Sequence, residues 1–324
     1  MTRVVFMGTA QLACPALTAL AASPAYRVVA VVTQPDRPKG RALQLQPSPV
    51  KILADNLQLP LLQPNRVRDP AFLNQLTALW PDLIVVVAYG QILPPSLLAL
   101  PRHGCLNIHA SLLPKYRGAA PIQWALLNGD TETGVTLMKI AERLDTGDIL
   151  AQRSIPIGPD DTAPQLHNRL AQLGADLLLD TLPVFLDGRA VPRPQPEQDV
   201  FHARKITKED GRIPWASTAA QIRNRLRALT PWPGLYSHLP ESSSHTFVKI
   251  WDATPVPEQG VPGTILRVRP DGIVVACGQD ALRILSLQLE GGRPMTAREF
   301  LAGHPLNPGD RFSNPQEPLQ GPNT

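Results

Sequence analysis

The chain has 324 residues, enough for two domains that each bury a core of their own. At 43% apolar and 18% charged residues it has the composition of a soluble globular protein, and no apolar run approaches the length of a membrane span. The net charge of +4 permits a polyanionic partner without demanding one, and three widely separated cysteines with no secretory leader point to reduced thiols in a cytoplasmic protein.

In chain order, RVVFMG (3–8) reads as a strand, QLACPALTALAAS (11–23) as a short helix and YRVVAVVT (26–33) as a second strand. PSPVKILADNLQ (47–58) and DPAFLNQLTALW (69–80) read as helices. PDLIVVVAYG (81–90) is a strand without polar alternation, as expected when both faces are buried. Strand GCLNIHAS (104–111), helix APIQWALLNG (120–129), strands GVTLMKIA (134–141) and ILAQRSIPI (149–157), and a long helix over 162–188 complete the region. Alternating strands and helices predict an α/β domain with a doubly wound, mostly parallel, Rossmann-like sheet over residues 1–190. The proline-rich RAVPRPQPEQD then suggests a semi-rigid linker, taken as 191–204. Residues 205–324 change character. After helix TAAQIRNRLRAL (218–229) come TFVKIWDAT, GTILRVR, GIVVACG and ALRILSLQLE, short strands that predict a small β-barrel or sandwich, then a short helix and a proline-rich tail.

The chemistry concentrates where strand CLNIH gives way to the loop SLLPKYRGAAP. Asn107 and His109 alternate with apolar residues, so both side chains leave one face of the strand. In an open parallel sheet, ligands gather at the carboxyl ends of strands. An amide and an imidazolium converging there would suit an oxygen that becomes negative during acyl transfer, although a hydrogen-bonded core pair is the commoner meaning of such spacing. Downstream, the loop LDTGD carries Asp145 and Asp148. A carboxylate beside His109 would favour its charged form and fix its tautomer, whereas both aspartates also suit a turn; Asp148 is read as a turn residue only. No His-Glu-x-x-His or close His/Cys/Asp cluster suggests a metal, no G-x-G-x-x-G suggests a dinucleotide, and Cys105 is read as a strand residue rather than a nucleophile.

The combination of N-I-H, S-L-L-P and L-D-T-G, spread over NIHASLLPKYRGAAPIQWALLNGD and TGVTLMKIAERLDTGDIL, resembles the folate-dependent formyltransferase family, and the likeness covers nearly the whole chain. The resemblance implies a catalytic trio of Asn107, His109 and Asp145. It implies 10-formyltetrahydrofolate as formyl donor, held by Ser111, Leu112, Leu113 and Pro114 and by a pterin pocket of Gln91, Ile92, Leu93, Ile140 and Leu144.

Further features bear on the acceptor amine. The basic segment TQPDRPKGRALQLQPSPVK (33–51) matches the mobile loop of the branch acting on methionyl initiator tRNA, and implies Arg37, Lys39 and Arg41 as tRNA contacts. The second domain is then expected to be an OB-like, tRNA-binding barrel, with Lys205, Lys208, Arg223 and Arg227 as candidate contacts; Arg223 and Arg227 stand four apart and share a helix face. A sugar-nucleotide or glycinamide ribonucleotide amine is the alternative acceptor. Two departures from the family stand out: Ala10-Gln11-Leu12 replaces Pro-Asp-Phe after Gly8-Thr9, and Pro214 replaces an aspartate between Ile213 and Trp215. A monomer is expected, since no coiled-coil or swapping segment is evident.

Overall fold

The computed structural model describes residues 1–39, 44–240 and 246–313. The chain forms two compact units: Met1–Ile122 with Thr131–Ile157 and Gln165–Arg204, and Lys205–Thr324 with Gln123–Asp130 and Gly158–Pro164. Among the described residues, no helix is long and apolar enough to cross a membrane.

The first unit begins with β1 (Thr2–Gly8), α1 (Cys14–Ala22) and β2 (Tyr26–Val32). Within the basic segment, β3 (Arg37–Lys39) and β4 (Gln44–Gln46) pair antiparallel. Then follow α2 (Pro49–Asn56), β5 (Leu61–Leu62), α3 (Pro70–Ala78), β6 (Leu83–Val87), α4 (Pro95–Leu98) and β7 (Cys105–His109). The helices start where local chemistry dictates. Ser48 and Asp69 cap α2 and α3 by accepting backbone N–H groups, and Pro49 and Pro70 supply the first helical residues, where no amide proton is needed. Beyond β7 come β8 (Arg117–Gly118), α5 (Pro121–Leu127), β9 (Glu132–Lys139), β10 (Ile149–Pro156), α6 (Ala163–Leu186) and β11 (His202–Ala203).

The large sheet runs β10-β9-β7-β6-β1-β2-β5. Its five strands from β7 to β5 are mutually parallel, while β9 runs antiparallel to β7 and β10 antiparallel to β9. The unbroken apolar run of β6 is buried at every residue because sheet neighbours and helices cover both its faces. The chain builds outward from β1 through β2 to β5, then restarts at β6 on the other side of β1. That reversal opens a crevice at the carboxyl ends of β1 and β6, where this fold class holds its ligands. Residues 191–204, read from the sequence as a linker, instead bond back onto the first unit: Arg193 pairs with Ile149, and β11 pairs with β8.

In the second unit, α7 (Ala219–Leu229) opens with a Thr218/Gln221 capping box. It is followed by β12 (Leu235–His238), β13 (Phe247–Val256), β14 (Ile265–Arg269), β15 (Gly272–Ala276), β16 (Ala281–Leu289), β17 (Met295–Thr296) and α8 (Ala297–Gly303). The antiparallel sheet runs β12-β13-β16-β15-β14. The tail supplies what the sequence pattern did not indicate. Ser313 pairs with His238 of β12 and Arg311 with Thr264 just before β14, so this short segment joins the two edge strands and closes the sheet into a barrel. Phe312 buries its ring there against Trp215, whose indole N–H donates to Ser237. Around Pro214 the turn holds without the family's carboxylate: Ile213 and Trp215 are buried, and the Pro214 carbonyl accepts from Ser217.

At α8, Thr296 and Glu299 form a second capping box. Hydrogen bonds from Arg293 and from the Thr296 backbone hold the Glu299 carboxyl well down, to a pKa of about 2 from an ordinary 4.5. A depressed acid stabilises the fold above its unfolded value, and that contribution fades as pH falls from about 4.5 towards 2. Unfolding free energy followed over this window should therefore fall less steeply in Glu299→Gln than in the parent; equal slopes would show that the carboxylate is not linked to folding.

Candidate active site

A cavity of about 510 Å³ opens beside the carboxyl ends of β6 and β7. Its wall includes Leu12 after β1, Ala88 to Leu93 after β6, Asn107 to Ala110 at the end of β7, and Ile140 to Asp145 after β9. That volume lies in the range of sites that enclose a drug-sized ligand. Asn107, His109 and Asp145, far apart in sequence, all lie on this wall.

The His109 ring is turned by a neighbour that sequence reasoning missed. Its Nε2 lies 2.9 Å from the Tyr116 carbonyl, a pure acceptor, so Nε2 carries a proton. Nδ1 then lies on the side of Asp145, 3.7 Å from Oδ2, with both side chains nearly buried. This corrects the expectation that Asp145 fixes the tautomer. The carboxylate is beyond hydrogen-bond reach of the ring, and the hydrogen bond that orients the ring is the one to Tyr116. Tyr116 can aim its carbonyl this way because its backbone is left-handed (φ +66°), with its ring packed edge-on against Phe201. The Asn107 amide has no hydrogen-bond partner among the described residues, which leaves its donors for a ligand.

Asp145 is also left-handed, with φ +53°, a conformation that Asp and Asn tolerate better than most residues. Its Oδ2 accepts from the Gly118 N–H at 2.9 Å. The carbonyls of Asp145 and Gly147 each accept from Gln195 Nε2 at 2.8 Å. A Cβ on Gly147 would collide with the Lys139 carbonyl, so the loop closes only with glycine there. Asp148, read as a turn residue, gives its carbonyl to the Lys139 N–H.

The residues expected to hold folate divide into two groups. Gln91, Ile92, Leu93, Ile140 and Leu144 line the cavity, with Ile92 and Leu144 presenting exposed apolar side chains. The Gln91 side chain is engaged elsewhere: its Oε1 accepts from the Val67 N–H and its Nε2 donates to the Asn65 carbonyl. Ser111, Leu112, Leu113 and Pro114 are not part of the wall. Ser111 is buried and donates to the Lys115 carbonyl, Leu113 packs with Met138 and Ile149, and its backbone is held by Thr136 and Gln152. This turn braces the strand ends behind the cavity.

Among the basic residues carried over, Arg37, Lys205 and Lys208 are exposed, and Lys39 ends β3. Arg41 lies outside the described residues. Arg223 and Arg227 correct the reading of a shared, outward-facing basic pair. Arg223 ion-pairs with Asp160 and donates to the Ala253 carbonyl, and Arg227 donates to the carbonyls of Gly158 and Asp161. Their charges tie residues 158–161 to α7 within the second unit.

Ala10, which stands where the family has proline, caps its helical turn with no side-chain hydrogen bond, and Gln11 takes the place of the family's aspartate. Leu12 meanwhile faces the cavity. The Cys105 thiol is buried in β7 and desolvation pushes its pKa up to about 12, which rules it out as a thiolate nucleophile near neutrality. Among the described residues, no cluster of His, Cys, Asp or Glu could hold a metal ion.

A doubly wound sheet whose cavity presents an amide, an imidazole and a carboxylate has the groups that would suit a transferase acting on an acyl carbon. The comparisons with known proteins make that class specific. Residues 2–182 match the formyl transferase family and residues 205–305 match its C-terminal domain, and the chain belongs to this family. It is 50% identical over 310 residues to the methionyl-tRNA formyltransferase of Geobacter sulfurreducens, covering 96% of each chain. To the methionyl-tRNA formyltransferase of Nitrosomonas europaea it is 46% identical over 324 residues, covering 98% of each. The fold is shared with an N-formyltransferase from Helicobacter canadensis solved with folinic acid and dTDP-3-aminofucose (TM-score 0.63, 19% identity, 88% of this chain and 99% of that one). It is also shared with HypX from Aquifex aeolicus solved with tetrahydrofolic acid (TM-score 0.59, 19% identity, 96% of this chain and 50% of that one).

The tight packing at Gly147 yields a prediction. Gly147→Ala should displace the 143–148 loop and loosen the Asp145 carboxylate from Gly118, so amide exchange at Gly118 should accelerate. Unchanged exchange would mean that the loop does not depend on this contact.

Proposed function

We infer that the protein transfers the formyl group of 10-formyltetrahydrofolate to the α-amino group of methionyl initiator tRNA. The observation that carries this reading is the meeting of Asn107, His109 and Asp145 on one cavity wall, in a chain half identical to named methionyl-tRNA formyltransferases over nearly its full length. The cavity suits a folate. Its floor is apolar, and the exposed side chains of Ile92 and Leu144 offer flat contact to a heteroaromatic ring at its lip.

Attack of the amine on the formyl carbon creates a tetrahedral centre whose oxygen becomes negative. Asn107 donates from its amide to that oxygen, and His109 in its charged form donates from Nδ1. The Nε2 bond to Tyr116 keeps the ring from turning away as the charge develops. Asp145 stabilises the imidazolium through space and accepts the proton that the attacking amine releases, directly or through one water, for delivery to the departing folate nitrogen. No covalent enzyme intermediate is required.

For the nucleic acid, the exposed Arg37 and Lys208 are the proposed phosphate contacts, joined by Lys39, Arg41 and Lys205 from the same stretches of sequence. Arg223 and Arg227 act structurally. A reaction on charged tRNA also accords with the cytoplasmic location read from the cysteine usage.

The deciding assay supplies the purified protein with 10-formyltetrahydrofolate and, in turn, charged initiator tRNA, free methionine and amino-sugar nucleotides. Formylation of the tRNA alone is expected; turnover of the sugar nucleotides without the tRNA would overturn the acceptor assignment. Asn107→Ala should lower kcat by about 10²–10³ while tetrahydrofolate affinity holds, since one oxyanion donor is lost. In tRNA binding titrated with salt, Lys208→Ala should reduce the slope of log affinity against log salt by about 0.7–0.9, whereas Arg227→Ala should leave that slope alone and lower the unfolding temperature. Reversal of this pattern would return the phosphate role to the helix.

A further inference from the structure

We propose that Gln195, in the proline-rich segment that follows α6, is a positioning residue that sets the placement of Asp145 in the reaction described above. The inference rests on that functional reading, and it starts from how completely the Gln195 amide is committed. Its Nε2 donates to two carbonyls of one loop, those of Asp145 and Gly147, each at 2.8 Å, with a weaker contact to Met138 Sδ at 3.8 Å. Its Oε1 accepts twice from Arg117, from Nε at 3.0 Å and Nη2 at 2.7 Å. A guanidinium can only donate and a carbonyl can only accept, so the amide has a single permissible orientation.

The same short strand then touches Asp145 from its other side. Arg117 and Gly118 form β8; Arg117 orients Gln195, and the Gly118 N–H binds the Asp145 carboxylate. Gly118 is itself seated by β11, and a Cβ at this position would meet the Ala203 carbonyl at 2.7 Å. Main chain and side chain of Asp145 are thus referred to one structural origin. That matters because Asp145 holds a left-handed backbone, which an unsupported loop would relax, and because its carboxylate stands 3.7 Å from His109 Nδ1, where a small shift changes the field on the ring.

The competing account is that Gln195 merely fastens residues 191–204 to the first unit. Two variants separate these possibilities. Gln195→Ala removes every contact. Gln195→Glu keeps the shape and the pairing with Arg117 but turns an acceptor oxygen toward the two carbonyls, so the segment stays tied to β8 while the loop is released. Positioning predicts that both variants lose tenfold or more in kcat, with KM for 10-formyltetrahydrofolate and for charged tRNA within about twofold of the parent. It also predicts that the Gly118 amide exchanges at least tenfold faster in both variants. A Gln195→Glu enzyme with kcat within twofold of the parent, or unaltered Gly118 exchange, overturns the proposal. The exchange measurement needs no substrate, so it decides the role of Gln195 even if the parent protein fails to formylate tRNA, a failure that would instead strike the functional reading.

Discussion

The hydrogen bond from His109 Nε2 to the Tyr116 carbonyl, 2.9 Å long and out of solvent, is the interaction on which the site's chemistry depends. A histidine ring can present either nitrogen to a ligand, and the neutral ring can donate from only one. By committing Nε2 to a backbone acceptor, the fold assigns Nδ1 to the Asp145 side. The acceptor is dependable because it is main chain: Tyr116 is buried, left-handed and packed against Phe201, so its carbonyl has little freedom to turn.

In the proposed reaction, the groups assigned to chemistry differ from the supporting ones in how their hydrogen bonds are spent. Asn107, His109 and Asp145 keep capacity in reserve: the amide has no partner among the described residues, one ring nitrogen is uncommitted, and the carboxylate accepts from Gly118 while standing near the ring. Gln91, Ser111, Arg223 and Arg227 are as polar but spend their hydrogen bonds within the protein. For Arg223 and Arg227 the spacing on α7 was right and the destination was not. Helical periodicity says that two arginines share a face but not that residues 158–161 lie opposite it.

The limits of legibility follow from the same distinction. Strand and helix order in the first unit was readable because β-branched runs such as LIVVV and caps such as Ser48 and Asp69 act over a few residues. Asn107 and His109 were readable because alternation on a strand is local, and Asp145 because the L-D-T-G loop accompanies them in the resembling family. Tyr116 lay in the quoted loop, yet nothing in K-Y-R-G says that its carbonyl faces a histidine. Gln195 was hidden in a proline-rich segment that looks like a linker, since no local pattern encodes an amide reaching a loop fifty residues earlier. The closure of the barrel by residues 311–313 escaped for a similar cause: a three-residue segment making two isolated bridges has no periodicity to read.

The most direct test is ¹⁵N magnetic resonance on protein labelled at histidine, read for the tautomer of the neutral His109 ring. The hydrogen bond to Tyr116 predicts a proton on Nε2 and none on Nδ1. A neutral ring protonated at Nδ1 would contradict it, because Nε2 could not then donate to the Tyr116 carbonyl.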